Sequence, residues 1–123
     1  MYLNDKKIAI YGLGHIGLPT AAILASNDLE VIGADINPDN VDKINKGICS
    51  FKEPGLDELV KKVVENNKLK ATTDLEEAAR LADILIVIVP TPIDDKKNAD
   101  LSYVISACKS ISHGLNKGNL VII

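Results

Sequence analysis

The residues Gly12-Leu13-Gly14-His15-Ile16-Gly17 have the spacing G-x-G-x-x-G. Glycine at each of those positions has a physical use when the segment joins a strand to a helix. The first permits a tight turn, the second lets the backbone approach a pyrophosphate, and the third lets the helix pack close to the strand. The N–H groups that open such a helix, near His15 and Ile16, would face phosphate oxygens. Asp35 follows about twenty positions later, where a carboxylate can accept hydrogen bonds from both hydroxyls of an adenosine ribose. It would repel a 2′-phosphate, and no Arg follows it, so the pattern favours NAD over NADP. Asn37 is grouped with Asp35 as cofactor-binding, although an Asp before Asn37-Pro38 could also simply begin a turn. Thr91, between Pro90 and Pro92, is placed to offer its hydroxyl or backbone to the same ligand. A rigid Pro-flanked loop would account for those three residues as well.

The remaining chemistry-bearing residues form no constellation. His15 occupies a variable position of the glycine loop, where its backbone matters more than its ring. His113 falls near a predicted helix C-terminus, where a cation is mildly favoured. Cys108 reads as core. Cys49 sits in the loop Ile48–Glu53, with no His or helix N-terminus suggested nearby to lower its pKa. Neither cysteine is expected to be a nucleophile, and two His and two scattered Cys lack metal-ligand spacing.

The elements that must position these residues alternate along the chain. Lys7–Tyr11, Glu30–Ala34, Leu69–Thr72, Asp83–Val89 and Asn119–Ile123 read as strands. Between them, His15–Asn27, Pro38–Lys46, Pro54–Asn66, Asp74–Leu81 and Leu101–Leu115 read as helices. Pro19 fits a first helical turn, Gly47 a C′ position, Thr73 or Asp74 one N-cap and Asp100 another. Leu101, Val104, Ile105, Cys108, Ile111 and Leu115 mark the expected buried face of the last helix. Asp83–Val89 (DILIVIV) reads as a buried central strand. Apolar, non-alternating strands separated by helices imply an α/β fold with a parallel sheet covered on both faces. Right-handed crossovers make this a doubly wound Rossmann-type sheet in the order 3-2-1-4-5, truncated at its C-terminal end.

Composition agrees with one globular domain over residues 1–123. The chain is 46% hydrophobic and 25% charged, with a net charge of −3. Arg80 is its one arginine, so a basic nucleic-acid footprint is not expected. Two cysteines are too few for a disulfide scaffold. The N-terminal stretch Met1–Lys7 lacks an apolar leader, and the expectation is a cytoplasmic protein with no membrane span.

Several segments together carry a resemblance. Gly12–Ala22 (GLGHIGLPTAA), Val31–Asn37 (VIGADIN), Val41–Gly47 (VDKINKG), Glu53–Leu59 (EPGLDEL), Val89–Pro92 (VPTP) and Ala99–Val104 (ADLSYV) resemble the UDP-glucose/GDP-mannose dehydrogenase family, in order and at matching spacing. The Ile-Gly-Leu-Pro-Thr-Ala form of the glycine loop is most similar to that of the UDP-N-acetyl-D-mannosamine dehydrogenases. His15 stands where the family usually has Tyr or Phe. The resemblance implies an NAD-dependent oxidation of the sugar C6 alcohol to a carboxylate, with two NAD used in succession. It also implies a nucleotide-sugar substrate, a homodimeric enzyme and a role in polysaccharide biosynthesis. The family's catalytic Cys and sugar pocket belong to segments beyond these residues, so no catalytic residue carries over. The cofactor site does: Gly12, Gly14, Gly17, Asp35 and, by position, Thr91. UDP-glucose, UDP-N-acetylglucosamine and GDP-mannose are the alternative substrates. An NAD-sensing module and a hydroxy-acid dehydrogenase are the competing readings of the fold, and the Glu53–Leu59 and Ala99–Val104 matches speak against both.

Overall fold

Short apolar runs that stop at turn residues become strands, and the stretches between them become helices, in a computed structural model that describes residues 3–123. The strands are β1 (Lys7–Tyr11), β2 (Glu30–Ala34), β3 (Leu69–Thr72), β4 (Ile84–Val87) and β5 (Leu120–Ile122). They are joined by α1 (Gly17–Ser26), α2 (Pro38–Asn45), α3 (Leu56–Glu65), α4 (Leu75–Leu81) and α5 (Ser102–Gly114). Met1 and Tyr2, part of the stretch read above as lacking a leader, lie outside the described residues. Every strand pairing is parallel and the order is β3-β2-β1-β4-β5, as expected. Among the described residues, no helix is long and apolar enough to cross a membrane.

Successive strand residues point to opposite faces, so each strand feeds two cores. On one face, Ile8, Ile10 and Val31 pack with Leu18, Ala21 and Ala22 of α1, Ile44 of α2 and Val60 of α3. On the other, Ala9, Tyr11, Leu85 and Val87 meet Ala78 and Ala79 of α4 and Ala107 and Ile111 of α5. Burying an Ile or Leu fully is worth about 1.5–3 kcal/mol, so the β1–β4 centre holds the fold. The second core is built largely from alanine, which lets α4 and α5 approach each other closely. A Cβ on Gly114 of α5 would collide with the Glu76 carbonyl of α4 and stand 2.9 Å from Ala79 Cβ.

Helix ends follow local chemistry. Asn37 caps α2, its side-chain oxygen accepting from the Asp39 N–H at 3.0 Å and the Asn40 N–H at 3.2 Å. At the other end Gly47 takes φ +77°. The Ile48 N–H then reaches Lys43 O at 2.8 Å and the Gly47 N–H reaches Ile44 O at 2.8 Å, a Schellman closure. Asp74 caps α4 by accepting from the Glu77 N–H at 3.0 Å.

Several boundaries differ from expectation. α1 begins at Gly17, because Gly14–Ile16 form the turn out of the sheet. α3 begins at Leu56, after a left-handed Gly55, rather than at Pro54. β4 is shorter than Asp83–Val89, and Ile84 and Ile86 are only half-buried. Asp100 is not the N-cap of α5: Leu101 holds that position, and the Asp100 carboxylate accepts from the Ser102 N–H at 2.9 Å from one residue earlier. The buried face of α5 is also different. Ala107, Ile111 and Gly114 point inward, Val104 and Cys108 are half-buried, and Leu101, Ile105 and Leu115 are exposed. Small residues face α4 because the helices cross too closely for larger ones.

The two edges of the sheet are treated differently. α2 lies beside β3, and Asn45 turns its amide onto that strand. Asn45 Nδ2 donates to Ala71 O at 2.9 Å and Asn45 Oδ1 accepts from the Ala71 N–H at 2.8 Å. The side chain thus bonds Ala71 as a neighbouring strand would. β5 has β4 on one side and, among the described residues, no strand on the other. Its Leu120 and Ile122 are exposed.

Candidate functional site

The C-terminal ends of β1, β2 and β4 open onto a cavity of about 490 Å³. This is the position where open parallel sheets bind ligands. One wall is the loop Gly12–Gly17, a second is Ala34–Ile36 after β2, and a third is Ile88–Thr91 after β4. Tyr103, Ser106 and Ala107 of α5 close the fourth side, with Tyr11 and Leu75 also lining the space. Tyr11 is fully buried and its hydroxyl donates to Leu75 O at 3.0 Å. Burial pushes its phenol pKa well above the ordinary value, so it stays neutral.

The glycine loop has the geometry its spacing implies. Gly12 takes φ +100°, and a Cβ there would collide with the Ile88 carbonyl. A Cβ on Gly17 would collide with the Gly12 carbonyl, so α1 starts against the end of β1 as only glycine allows. Gly14 is the opposite case: nothing lies within 4 Å of where its Cβ would stand. That open flank borders the cavity and leaves room for a group to rest against bare backbone. Leu13 is buried between them, its methyls against Gly33, where a Cβ would come within 2.8 Å.

Asp35 is held by its neighbours without being used up. Oδ2 accepts from the Leu13 N–H at 2.8 Å and Oδ1 from the Asn37 N–H at 3.0 Å. The carboxylate therefore does begin a turn, as its sequence context allowed. Two oxygens offer about four acceptor sites, which leaves one on each oxygen for a pair of neighbouring hydroxyls. Arg80, the one guanidinium, is on α4 and engaged with Glu76 and Glu77. The remaining acceptor sites thus fit the hydroxyls of the adenosine ribose of NAD, and a 2′-phosphate would find no Arg partner.

The cavity brings together seven of the expected site residues: Gly12, Gly14, His15, Ile16, Gly17, Asp35 and Thr91. Asn37 stands outside its lining, with its side-chain oxygen committed to the α2 cap. Ile36, Tyr103, Ser106 and Leu75 are among the lining residues that were not singled out in the sequence. The first two are exposed apolar side chains on facing walls, and only the strand order brings them together. Neither cysteine lines the cavity. Burial is the main reason the Cys49 thiol pKa lies above its ordinary value, with the Phe51 N–H acting against it and Asp57 and Glu53 adding to it. Cys108 is half-buried rather than core. Among the described residues, no three His, Cys, Asp or Glu side chains converge to hold a metal ion.

A sequence profile described as UDP-glucose/GDP-mannose dehydrogenase family, NAD binding domain, matches residues 6–123. The UDP-N-acetyl-D-mannosamine dehydrogenase of Campylobacter jejuni is 52% identical over 119 residues, covering 96% of this chain and 28% of that protein. The NDP-N-acetyl-D-galactosaminuronic acid dehydrogenase of Ralstonia nicotianae is 47% identical over 121 residues, covering 98% of this chain and 28% of that protein. Among solved structures, a ternary complex of Pseudomonas aeruginosa GDP-mannose dehydrogenase superimposes with TM-score 0.89 at 32% identity, over 93% of this chain and 27% of that one. The chain therefore spans about 28% of the length of the curated relatives it matches.

Proposed function

The chain belongs to the UDP-glucose/GDP-mannose dehydrogenase family, as its NAD-binding domain, and from that premise we propose that residues 1–123 hold NAD for the oxidation of UDP-N-acetylmannosamine. The observation that carries the cofactor assignment is the Asp35 carboxylate, with one acceptor site free on each oxygen beside the open flank of Gly14. The sugar assignment is supported by the relatives. Several proteins 43–52% identical to this chain carry the name UDP-N-acetyl-D-mannosamine dehydrogenase.

The electron count sets the stoichiometry. Converting a C6 alcohol to a carboxylate removes two pairs of electrons, NAD accepts one pair each time, and water supplies the second oxygen. Two NAD are consumed in succession for each sugar. Within that reaction the present residues bind and orient. Asp35 would hold the ribose and the Gly12–Gly17 backbone the phosphates, with Ile36, Val89 and Tyr103 offering apolar walls in the same cavity. The nucleophile and the sugar pocket lie in sequence outside these residues. The product, a nucleotide-linked uronate, is a donor suited to polysaccharide synthesis, and we infer that the reaction is cytoplasmic.

Calorimetric titration with NAD and NADP tests the cofactor reading. NAD should bind more tightly, and Asp35→Ala should weaken it by roughly 1.5–3 kcal/mol, the scale of a hydrogen bond to a charged group. Tighter binding of NADP by the unmodified chain would overturn the assignment. The sugar reading is tested in the polypeptide that carries this segment together with a sugar pocket. Turnover should be fastest with UDP-N-acetylmannosamine, and a faster rate with UDP-glucose or GDP-mannose would replace it.

A further inference from the structure

We propose that the segment Gly47–Gly55 is a strap that sets the pose of the glycine loop, with Phe51 as a positioning residue for the cofactor phosphates; the proposal rests on the NAD reading above. Two contacts define it. On one side of Gly14, the Leu13 carbonyl accepts from Asn40 Nδ2 at 3.1 Å, and Asn40 Oδ1 accepts from the Ser50 hydroxyl at 2.7 Å. The hydroxyl thereby fixes which way the Asn40 amide points. On the other side, the His15 ring lies on the Phe51 ring, with centroids 4.2 Å apart and planes tilted by 32°. The two rings are in direct contact, tilted between a parallel stack and an edge-to-face pair.

Ser50 and Phe51 are consecutive, so one short stretch reaches the residues flanking Gly14, through Asn40 on one side and directly on the other. Gly14 needs this help. It has no side chain, and nothing stands within 4 Å of its missing Cβ; its carbonyl accepts from the Leu18 N–H at 3.1 Å, which ties it to α1 but leaves its flank toward the cavity unsupported. Holding residues 13 and 15 steadies that flank before a ligand arrives, and pre-organisation of this kind raises affinity. The strap is itself anchored, because Cys49 and Phe51 pack against the core under α1 and α3. No residue of the strap lines the cavity. Its influence on a ligand must therefore pass through Leu13 and His15.

The adenosine end of the site is held differently. Asp35 bonds the Leu13 N–H and the Asn37 N–H; it shares Leu13 with the Asn40–Ser50 arm but makes no bond to His15 or Phe51. Losing the Phe51 ring should therefore weaken ligands that lie on the loop and spare those that stop at the ribose. The experiment titrates adenosine, ADP-ribose and NAD into the chain and its Phe51→Ala, Phe51→Leu and Ser50→Ala forms, followed by amide chemical shifts. Phe51→Ala should weaken ADP-ribose and NAD about tenfold, the effect of lost pre-organisation, and leave adenosine unchanged. Phe51→Leu keeps an apolar side chain in the core and removes only the ring contact, so it should weaken the same two ligands. Ser50→Ala should do so to a smaller degree. In the ligand-free variants, amide exchange at Gly14–Ile16 should become faster. Equal losses for all three ligands would mean general damage and would overturn the proposal. So would unchanged NAD affinity in folded Phe51→Leu and Ser50→Ala. If Phe51→Ala does not fold, those two variants decide. If the unmodified chain binds none of the ligands, the NAD reading fails instead, and the exchange rates at Gly14–Ile16 still decide whether the strap holds the loop.

Discussion

At the scale of single residues, the site depends on atoms that are missing as much as on atoms that are present. Gly17 has no room for a methyl group because the obstacle is the Gly12 carbonyl, a backbone atom that cannot rotate away. Gly17→Ala should therefore cost about 3 kcal/mol, the upper part of the usual range for overpacking, and should weaken NAD as α1 is pushed off β1. Denaturant titration checks the first effect and calorimetry the second. Cys49 and Cys108 should be silent in catalysis. The chain alone should reduce no NAD with any UDP-sugar, judged by absorbance of the reduced nicotinamide. Turnover that disappears when either cysteine is replaced would refute that. The glycine and Asp35 contributions were legible in the sequence because each is local: a turn, a strand end, a spacing. The His15–Phe51 contact and the Leu13–Asn40–Ser50 chain were not, because they join residues from segments with no shared periodicity. His15 was read for its backbone, and its ring turns out to be the part that reaches Phe51.

At the scale of elements, hydropathy placed the strands better than it placed helix faces. β1, β2 and β3 have the expected limits, since a buried strand announces itself by an apolar run that stops at Gly, Asp or Thr. α5 was misjudged because its contact with α4 is made by Ala107, Ile111 and Gly114, and only one of these is strongly apolar. Close approach between helices selects for small volume, which a hydrophobic pattern ranks low. The first turn of α5 makes a prediction about pH. Asp100 sits just before it, and its hydrogen bonds from Ser102, side chain and backbone, hold its carboxyl below the ordinary value. A lowered folded pKa contributes stability above the unfolded value of about 3.9, lost as pH falls through the folded one. Protection of the Ser102 amide, its exchange relative to the intrinsic rate at each pH, should fall in that acidic window and not above it, and Asp100→Asn should flatten the dependence. Asn45→Ala removes both partners of the Ala71 backbone from the edge of β3. Leaving those groups unpaired should cost about 1–3 kcal/mol, measured by denaturant unfolding, with exchange at Ala71 rising most.

At the scale of the whole molecule, the sheet has one guarded edge and one open edge. Exposed strand edges recruit other strands, and β5 presents such an edge beside its exposed Leu120 and Ile122. The 123-residue chain should therefore either associate through β5 or lose order there. Association would show as light scattering that rises with concentration, and fraying as fast amide exchange at Val121–Ile123. A monomer at high concentration with slow exchange at those residues would mean the edge is covered in some other way. Having only one such edge also limits how many copies can join. Two chains meeting β5 to β5 are related by a twofold axis, and each uses the only valence it has, so growth stops at a pair. α2 and the Asn45 amide keep the other end of the sheet from acting as a second valence. A chain with both α2 and that amide removed from β3 would be divalent, and its copies would add head to tail into an open filament instead of a closed dimer.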